Sequence, residues 1–207
     1  MLANAANHPE SHEGPNEHDI AVLPDGTLMA VVRFDGGDGC SAAGPDETQH
    51  YSNYHSSIST DMGQTWSAPT PLPAGCARPR LLTFGSSLVL TGGRHRNANT
   101  SDVLLWYNAD GRGTAWQAYS LSYHHNKGVA SGGRRPNVRV FDERVNKSTD
   151  FVLPRETNAY TSVFQIDDNR LIVFYDQKLP CALAEGRGGG CMTTSSYSMV
   201  VELSAGS

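Results

Sequence analysis

The stretch "SISTDMGQTWSAP", Ser57 to Pro69, decides how the chain is read. Its core is Ser59-x-Asp61-x-Gly63-x-Thr65-Trp66. Alternating residues lead in from Tyr54 to Ser59, so a strand is expected to run into a tight turn there. Asp61 is of the type that bonds backbone N–H groups two residues on, and Gly63 supplies a position with φ > 0. Thr65 and Trp66 should then restart extended structure, with Trp66 as a large apolar plug. This describes a self-contained hairpin corner. Nothing in it is poised to react.

The same plan recurs outward from that corner. "DIAVLPDGTLMAVVR" (Asp19–Arg33), "RLLTFGSSLVLTGGR" (Arg80–Arg94) and "SVFQIDDNRLIVFYD" (Ser162–Asp176) each read as strand, short turn, strand. Their turns, Asp25-Gly26, Gly85-Ser86 and Asp167-Asp168-Asn169, are good hairpin chemistry. A third alternating strand follows each: "YHSSIS", "DVLLWYN" and "YSMVVEL". After the second comes "NADGRGTAW", which repeats the corner through Asp110, Gly113 and Trp116 with one extra residue between Asp and Gly. Hairpin-plus-strand units of roughly 50 residues fit the four-stranded blades of a β-propeller. About three blades are expected within residues 1–207. Residues 117–158 read as an irregular insertion. Propellers close with typically 4–8 blades, so the N-terminal blades are expected to be missing from this chain.

Composition agrees with an all-β reading. The 207 residues include 21 Gly and 11 Pro and few helix-forming runs. A net charge of −5 offers no basic footprint for nucleic acid. No apolar run approaches the ~20 residues of a membrane span. Cys40, Cys76, Cys181 and Cys191 lack metal-binding spacing, and four thiols allow three pairings. No phosphate-cradling loop, zinc signature or nucleotide fingerprint is present, so neither cofactor nor metal is expected. Asn99-Thr100-Ser101 and Asn146-Lys147-Ser148 are glycosylation sequons, which favour a secreted or lumenal chain although no signal peptide is visible.

The Ser59–Trp66 motif is an Asp-box and resembles the repeat of the sialidase (neuraminidase) family. The resemblance implies a six-bladed β-propeller in which Ser59, Asp61, Gly63, Thr65 and Trp66 are structural. "NEHDIAVLPDGTLMAVVR" (Asn16–Arg33) resembles the sialidase segment that carries a catalytic Glu and then an active-site Arg, which map to Glu17 and Arg33. "SSLVLTGGRHR" (Ser86–Arg96) resembles the blade supplying another Arg, either Arg94 or Arg96. "ETNAYTSVFQIDDNRLIVFYDQ" (Glu156–Gln177) resembles the segment of the nucleophilic Tyr, which maps to Tyr160. The family's first Arg and its Asp acid/base belong to an earlier blade and have no match here.

The implied activity is an exo-α-sialidase that removes terminal sialic acid from a sialylated glycan with retention. The chemistry suits these residue types. Arginine stays charged and can donate two parallel bonds to the sugar carboxylate. A carboxylate nucleophile would be repelled by that same group, whereas a neutral phenol is not, and tyrosine is the sialidase exception among glycosidases. Glu17 would take the phenolic proton, with Glu156 as the other candidate base. His125 and Asn126, in "YHHN", read as rim contacts to substrate hydroxyls. The alternative is a non-catalytic propeller that kept the scaffold as a carbohydrate-binding or interaction module. An enzyme needs the upstream Arg and Asp; a module does not.

Overall fold

A computed structural model describes residues 14–35, 54–75, 77–95, 102–131, 160–180 and 192–203. The described residues are all-β apart from one helix, and every strand pairing is antiparallel. The first sheet runs in chain order: β1 (Gly14–Val22), β2 (Leu28–Asp35), β3 (Tyr54–Ser59) and β4 (Thr70–Pro71). The second does the same with β5 (Ala77–Phe84), β6 (Ser87–His95), β7 (Asp102–Asn108) and β8 (Gln117–Ser120). Helix α1 (Leu121–Ser131) follows, and a third sheet holds β9 (Thr161–Gln165), β10 (Arg170–Pro180) and β11 (Met192–Glu202). The three hairpins read from the sequence are β1–β2, β5–β6 and β9–β10.

Their turns form for local reasons. Asp25 accepts from the Thr27 amide (3.0 Å) and hydroxyl (2.7 Å). Asp167 accepts from the amides of Asn169 (3.0 Å) and Arg170 (2.8 Å), and the Arg170 guanidinium grips its other oxygen.

The expectation of an irregular segment from residue 117 is corrected. Gln117–Ser120 pairs with β7 as the fourth strand of its sheet. Ser120 then caps α1, its Oγ accepting from the Tyr123 amide at 3.0 Å, three residues on. Leu121, Ser122 and His125 are buried on one face of that helix. Residues 132–158 lie outside the described part.

The middle sheet is covered on both sides, and its alternation shows how. Leu88 and Leu90 of β6, with Leu104 and Trp106 of β7, pack towards the first sheet against Met29, Val31 and Tyr54. Val89, Val103 and Leu105 point the other way, against Leu171, Val173 and Tyr175 of the third sheet. Two buried faces explain why "LVL" and "VLLW" are unbroken apolar runs, and why "DVLLWYN" does not alternate as expected. The innermost strands β1, β5 and β9 lie side by side. β1 stitches to β5 through side chains: Asp19 accepts from the Leu81 amide at 2.9 Å, and the Thr83 hydroxyl donates to the Val22 carbonyl.

The opening corner folds with two departures from expectation. Asp61 does not bond two residues on. It reaches four on, accepting from the amide (2.8 Å) and hydroxyl (2.5 Å) of Thr65. Ser59 Oγ takes the inner role, donating to Asp61 at 2.8 Å and accepting from the Gly63 amide at 2.8 Å. Strand structure resumes at Thr70, not at Thr65, because Trp66 is held within the corner by its indole N–H on the Gly63 carbonyl (3.1 Å). The three hydrogen bonds from Thr65 and Ser59 hold the Asp61 carboxyl well below its ordinary range, at about 2.

The second corner reproduces this with a longer side chain. Asn108 Oδ1 accepts from the Gly113 amide (3.0 Å), Asp110 from the Thr114 hydroxyl (2.9 Å), and the Trp116 indole donates to the Gly113 carbonyl (2.9 Å). An asparagine in place of serine spans the extra residue that the sequence inserts.

Candidate functional site

The site candidates gather at one end of the three innermost strands. Glu17 lies near the start of β1. Arg33 lies near the end of β2, beside it. Tyr160 immediately precedes β9. Arg78, near the start of β5, was not singled out by the sequence reading and joins them.

Bulges aim these side chains. In β1, Pro15 pairs with Phe34 and His18 with Val32, so Asn16 and Glu17 together oppose Arg33 alone. In β5, Ala77 pairs with Gly93 and Arg80 with Thr91, so Arg78 and Pro79 together oppose Gly92. Two residues against one bends a strand and turns a side chain out of its alternation. Proline is tolerated there because a bulged residue has no ladder bond to donate. Arg78 adopts φ 56°, one of two non-glycine residues in the left-handed region among those described. A β-conformation would be expected of a residue before proline.

The contacts form a continuous series. Arg33 Nη1 donates to Glu17 Oε2 at 2.6 Å. The same oxygen accepts from the Arg78 backbone amide at 2.6 Å. Arg78 Nε stands 3.1 Å from Glu17 Oε1. The Arg78 guanidinium carbon then lies 3.4 Å from the centroid of the Tyr160 ring. Glu17 therefore bridges two sheets and Arg78 reaches the third. Arg33 is buried, whereas Tyr160 is 56% exposed. Among the described residues, the guanidiniums of Arg33 and Arg78 both pair with the Glu17 carboxylate.

The remaining candidates are placed differently. The backbone of Arg94 sits in another bulge, where Gly93 pairs with Val103 and His95 with Asp102. Its side chain, with Arg96 and Glu156, lies outside the described residues. So do all four cysteines and both sequons. His125 is buried rather than on a rim, and its Nδ1 lies 2.8 Å from the Tyr175 hydroxyl. The Tyr197 ring packs edge-on against His125 at 4.7 Å. Burial, with Tyr197 alongside, pushes the Tyr175 phenol up to about 12. Asn126, next on the helix, is half-buried. Asp61 and its partners stand in the corner between β3 and β4, on a different part of the first sheet.

One signal in the sequence points to Arg78. Counting back from each hairpin turn, Glu17 stands eight residues before Asp25, Arg78 seven before Gly85, and Tyr160 seven before Asp167. The three occupy nearly the same place in the repeat.

No family profile matches the chain, and no curated protein does. Among solved structures, a protein of unknown function from Dyadobacter fermentans is similar with a TM-score of 0.51 at 16% identity, over 92% of this chain and 38% of its own. An α-L-arabinofuranosidase of Fusarium graminearum gives a TM-score of 0.48 at 14% identity, over 91% of this chain and 47% of its own. A Penicillium chrysogenum α-L-arabinanase gives 0.41 at 16% identity, over 82% and 42%. The chain thus spans less than half the length of each, and what it shares with the Dyadobacter protein is its fold.

Proposed function

We propose that the chain is part of a retaining glycosidase of the sialidase type, acting on a terminal sugar that carries a carboxylate. Tyr160 is the nucleophile, Glu17 its base, and Arg33 a ligand of the carboxylate, with Arg94 or Arg96 as a further one. Additional propeller blades, from a segment preceding this one, supply the first Arg and the acid that protonates the leaving group.

The observation that carries the reading is the contact series Arg33–Glu17–Arg78–Tyr160. It joins side chains from β1, β2, β5 and the residue before β9, so that all three sheets contribute to one cluster. A guanidinium stays charged and can bond a carboxylate bidentately, so the two arginines suit an anionic sugar. In the proposed reaction the Tyr160 oxygen bonds to the anomeric carbon, its proton passes to Glu17, and the aglycone leaves with its bonding electrons. Water then returns the sugar with retained configuration. Glu17 has donors on both oxygens. A substrate carboxylate drawing Arg33 away would free Glu17 Oε2 to accept that proton.

The full complement of donors on Glu17 also favours a second reading, a carbohydrate-binding module in which Glu17 only organises arginines. Turnover separates the two. Tyr160→Phe removes one hydroxyl and should abolish hydrolysis of a fluorogenic sialoside by the complete protein. A fluorinated sialosyl fluoride, which stalls after attack, should leave a covalent adduct on Tyr160 visible by mass spectrometry. Full turnover in Tyr160→Phe, with strand content unchanged by circular dichroism, would leave the module as the better account.

A further inference from the structure

We propose that Arg78 is a positioning residue for Tyr160, kept in a strained backbone conformation because its guanidinium fixes the phenol relative to Glu17. The proposal rests on the reading of Tyr160 as nucleophile.

Three observations converge on it. The first is conformational. Arg78 holds φ 56° and precedes a proline, a combination in which glycine would fit without strain. Strain of this kind persists where the surroundings over-determine it, and it clusters at functional sites. The second is the division of labour within the residue. Its backbone amide bonds Glu17 Oε2 whatever the side chain is, so packing against β1 does not require an arginine. The third is the side chain itself. Nε pairs with Glu17 Oε1 at 3.1 Å while the flat face covers the Tyr160 ring at 3.4 Å. Only a planar cation bonds in its plane and stacks on its face at once, so lysine cannot replace it.

The consequence is geometric. Tyr160 is exposed and precedes its strand, so the ladder of β9 does not fix its ring. Arg78 does, from the neighbouring sheet. The same guanidinium favours negative charge developing on the phenol oxygen during attack.

The test uses Arg78→Gly, Arg78→Lys and Arg78→Gln in the complete protein. Arg78→Gly should keep or raise the melting temperature, because strain is relieved, yet lower kcat/KM by about 100-fold, the order expected when a reacting group is misplaced by about 1 Å. Most of the loss should fall on kcat, and added guanidinium ion should restore part of it. Arg78→Lys should behave like Arg78→Gln. A readout free of turnover accompanies these. In the native protein the Arg78 side-chain protons should show an upfield ring-current displacement by NMR. That displacement should survive in Tyr160→Phe and vanish in Tyr160→Ala. Its absence, or undiminished turnover in Arg78→Gly, would overturn the proposal. Full turnover in Tyr160→Phe with the displacement intact would overturn the nucleophile reading instead, and with it the catalytic purpose assigned to Arg78.

Discussion

Glu17 makes two ion pairs of unequal burial, and the difference predicts a stability pattern. The Arg33 side chain is 9% exposed and that of Glu17 29%, whereas Arg78 is 28% exposed. Glu17→Gln leaves the Arg33 charge inside the first sheet with a neutral acceptor. Bonds to charged groups are worth about 1.5–3 kcal/mol, and removing one partner of a buried pair costs more than removing both. We therefore expect Glu17→Gln and Arg33→Met each to cost about 2 kcal/mol. The double variant should cost no more than either single change, a coupling of about 2 kcal/mol or more. Arg78→Gln should cost at most about 1 kcal/mol, as half-exposed pairs do. For a chain of this size 2 kcal/mol lowers Tm by about 4–8 °C. Urea denaturation of the four variants supplies the cycle. Additive Glu17 and Arg33 effects, or a larger loss at Arg78 than at Arg33, would refute the assignment of structural weight to one pair and positioning to the other.

Three further outcomes are expected. Gly111→Ala should destabilise by about 2–4 kcal/mol, since φ is +64° and a Cβ would stand 2.3 Å from the Ser86 backbone carbonyl oxygen, whereas Gly26→Ala at φ +87° meets open space and should show only about 1–2 kcal/mol of backbone strain; equal losses in urea melts would show that the Ser86 backbone yields freely. The Asp61 carboxyl, held at about 2, contributes stability at pH above its ordinary value near 3.8 that is lost as pH falls towards 2; its carbon resonance should titrate near 2, and Thr65→Ala should move that midpoint upward. Tyr175, raised from 10.0 to about 12, contributes fully below pH 10, and between pH 10 and 12 the unfolded chain loses its proton first, so Tm should fall across that window and fall less in Tyr175→Phe.

Much of the scaffold was legible because it is local. Each hairpin turn carries its own Asp or Gly, and each corner closes on itself within eight or nine residues. The fourth strand of the second sheet, Gln117–Ser120, escaped notice because three of its four side chains are exposed and it has no alternation to display. Helix α1 was hidden for a related reason: its only strong local signal is the Ser120 cap, and its burial depends on Tyr175 and Tyr197, far away in sequence. At the site, Glu17 and Arg33 are joined by one hairpin and could be paired from the sequence. Arg78 could not, since its significance comes from a bulge and a left-handed backbone that no single residue type announces. His125 was placed on a rim from its loop-like surroundings, and the helix turns it inward.

The paired bulges have a consequence for how such a site changes over time. Each of the pairs Asn16–Glu17 and Arg78–Pro79 holds one residue more than the strand opposite, so the register of the rungs on either side does not depend on which side chain stands there. A replacement there alters what is presented to a ligand without sliding Val31 or Leu90 off its neighbour. Chemistry and scaffold are thereby written in separate places along the same strands, and new specificities can be tried at the rim while the interlocked sheets beneath stay in register.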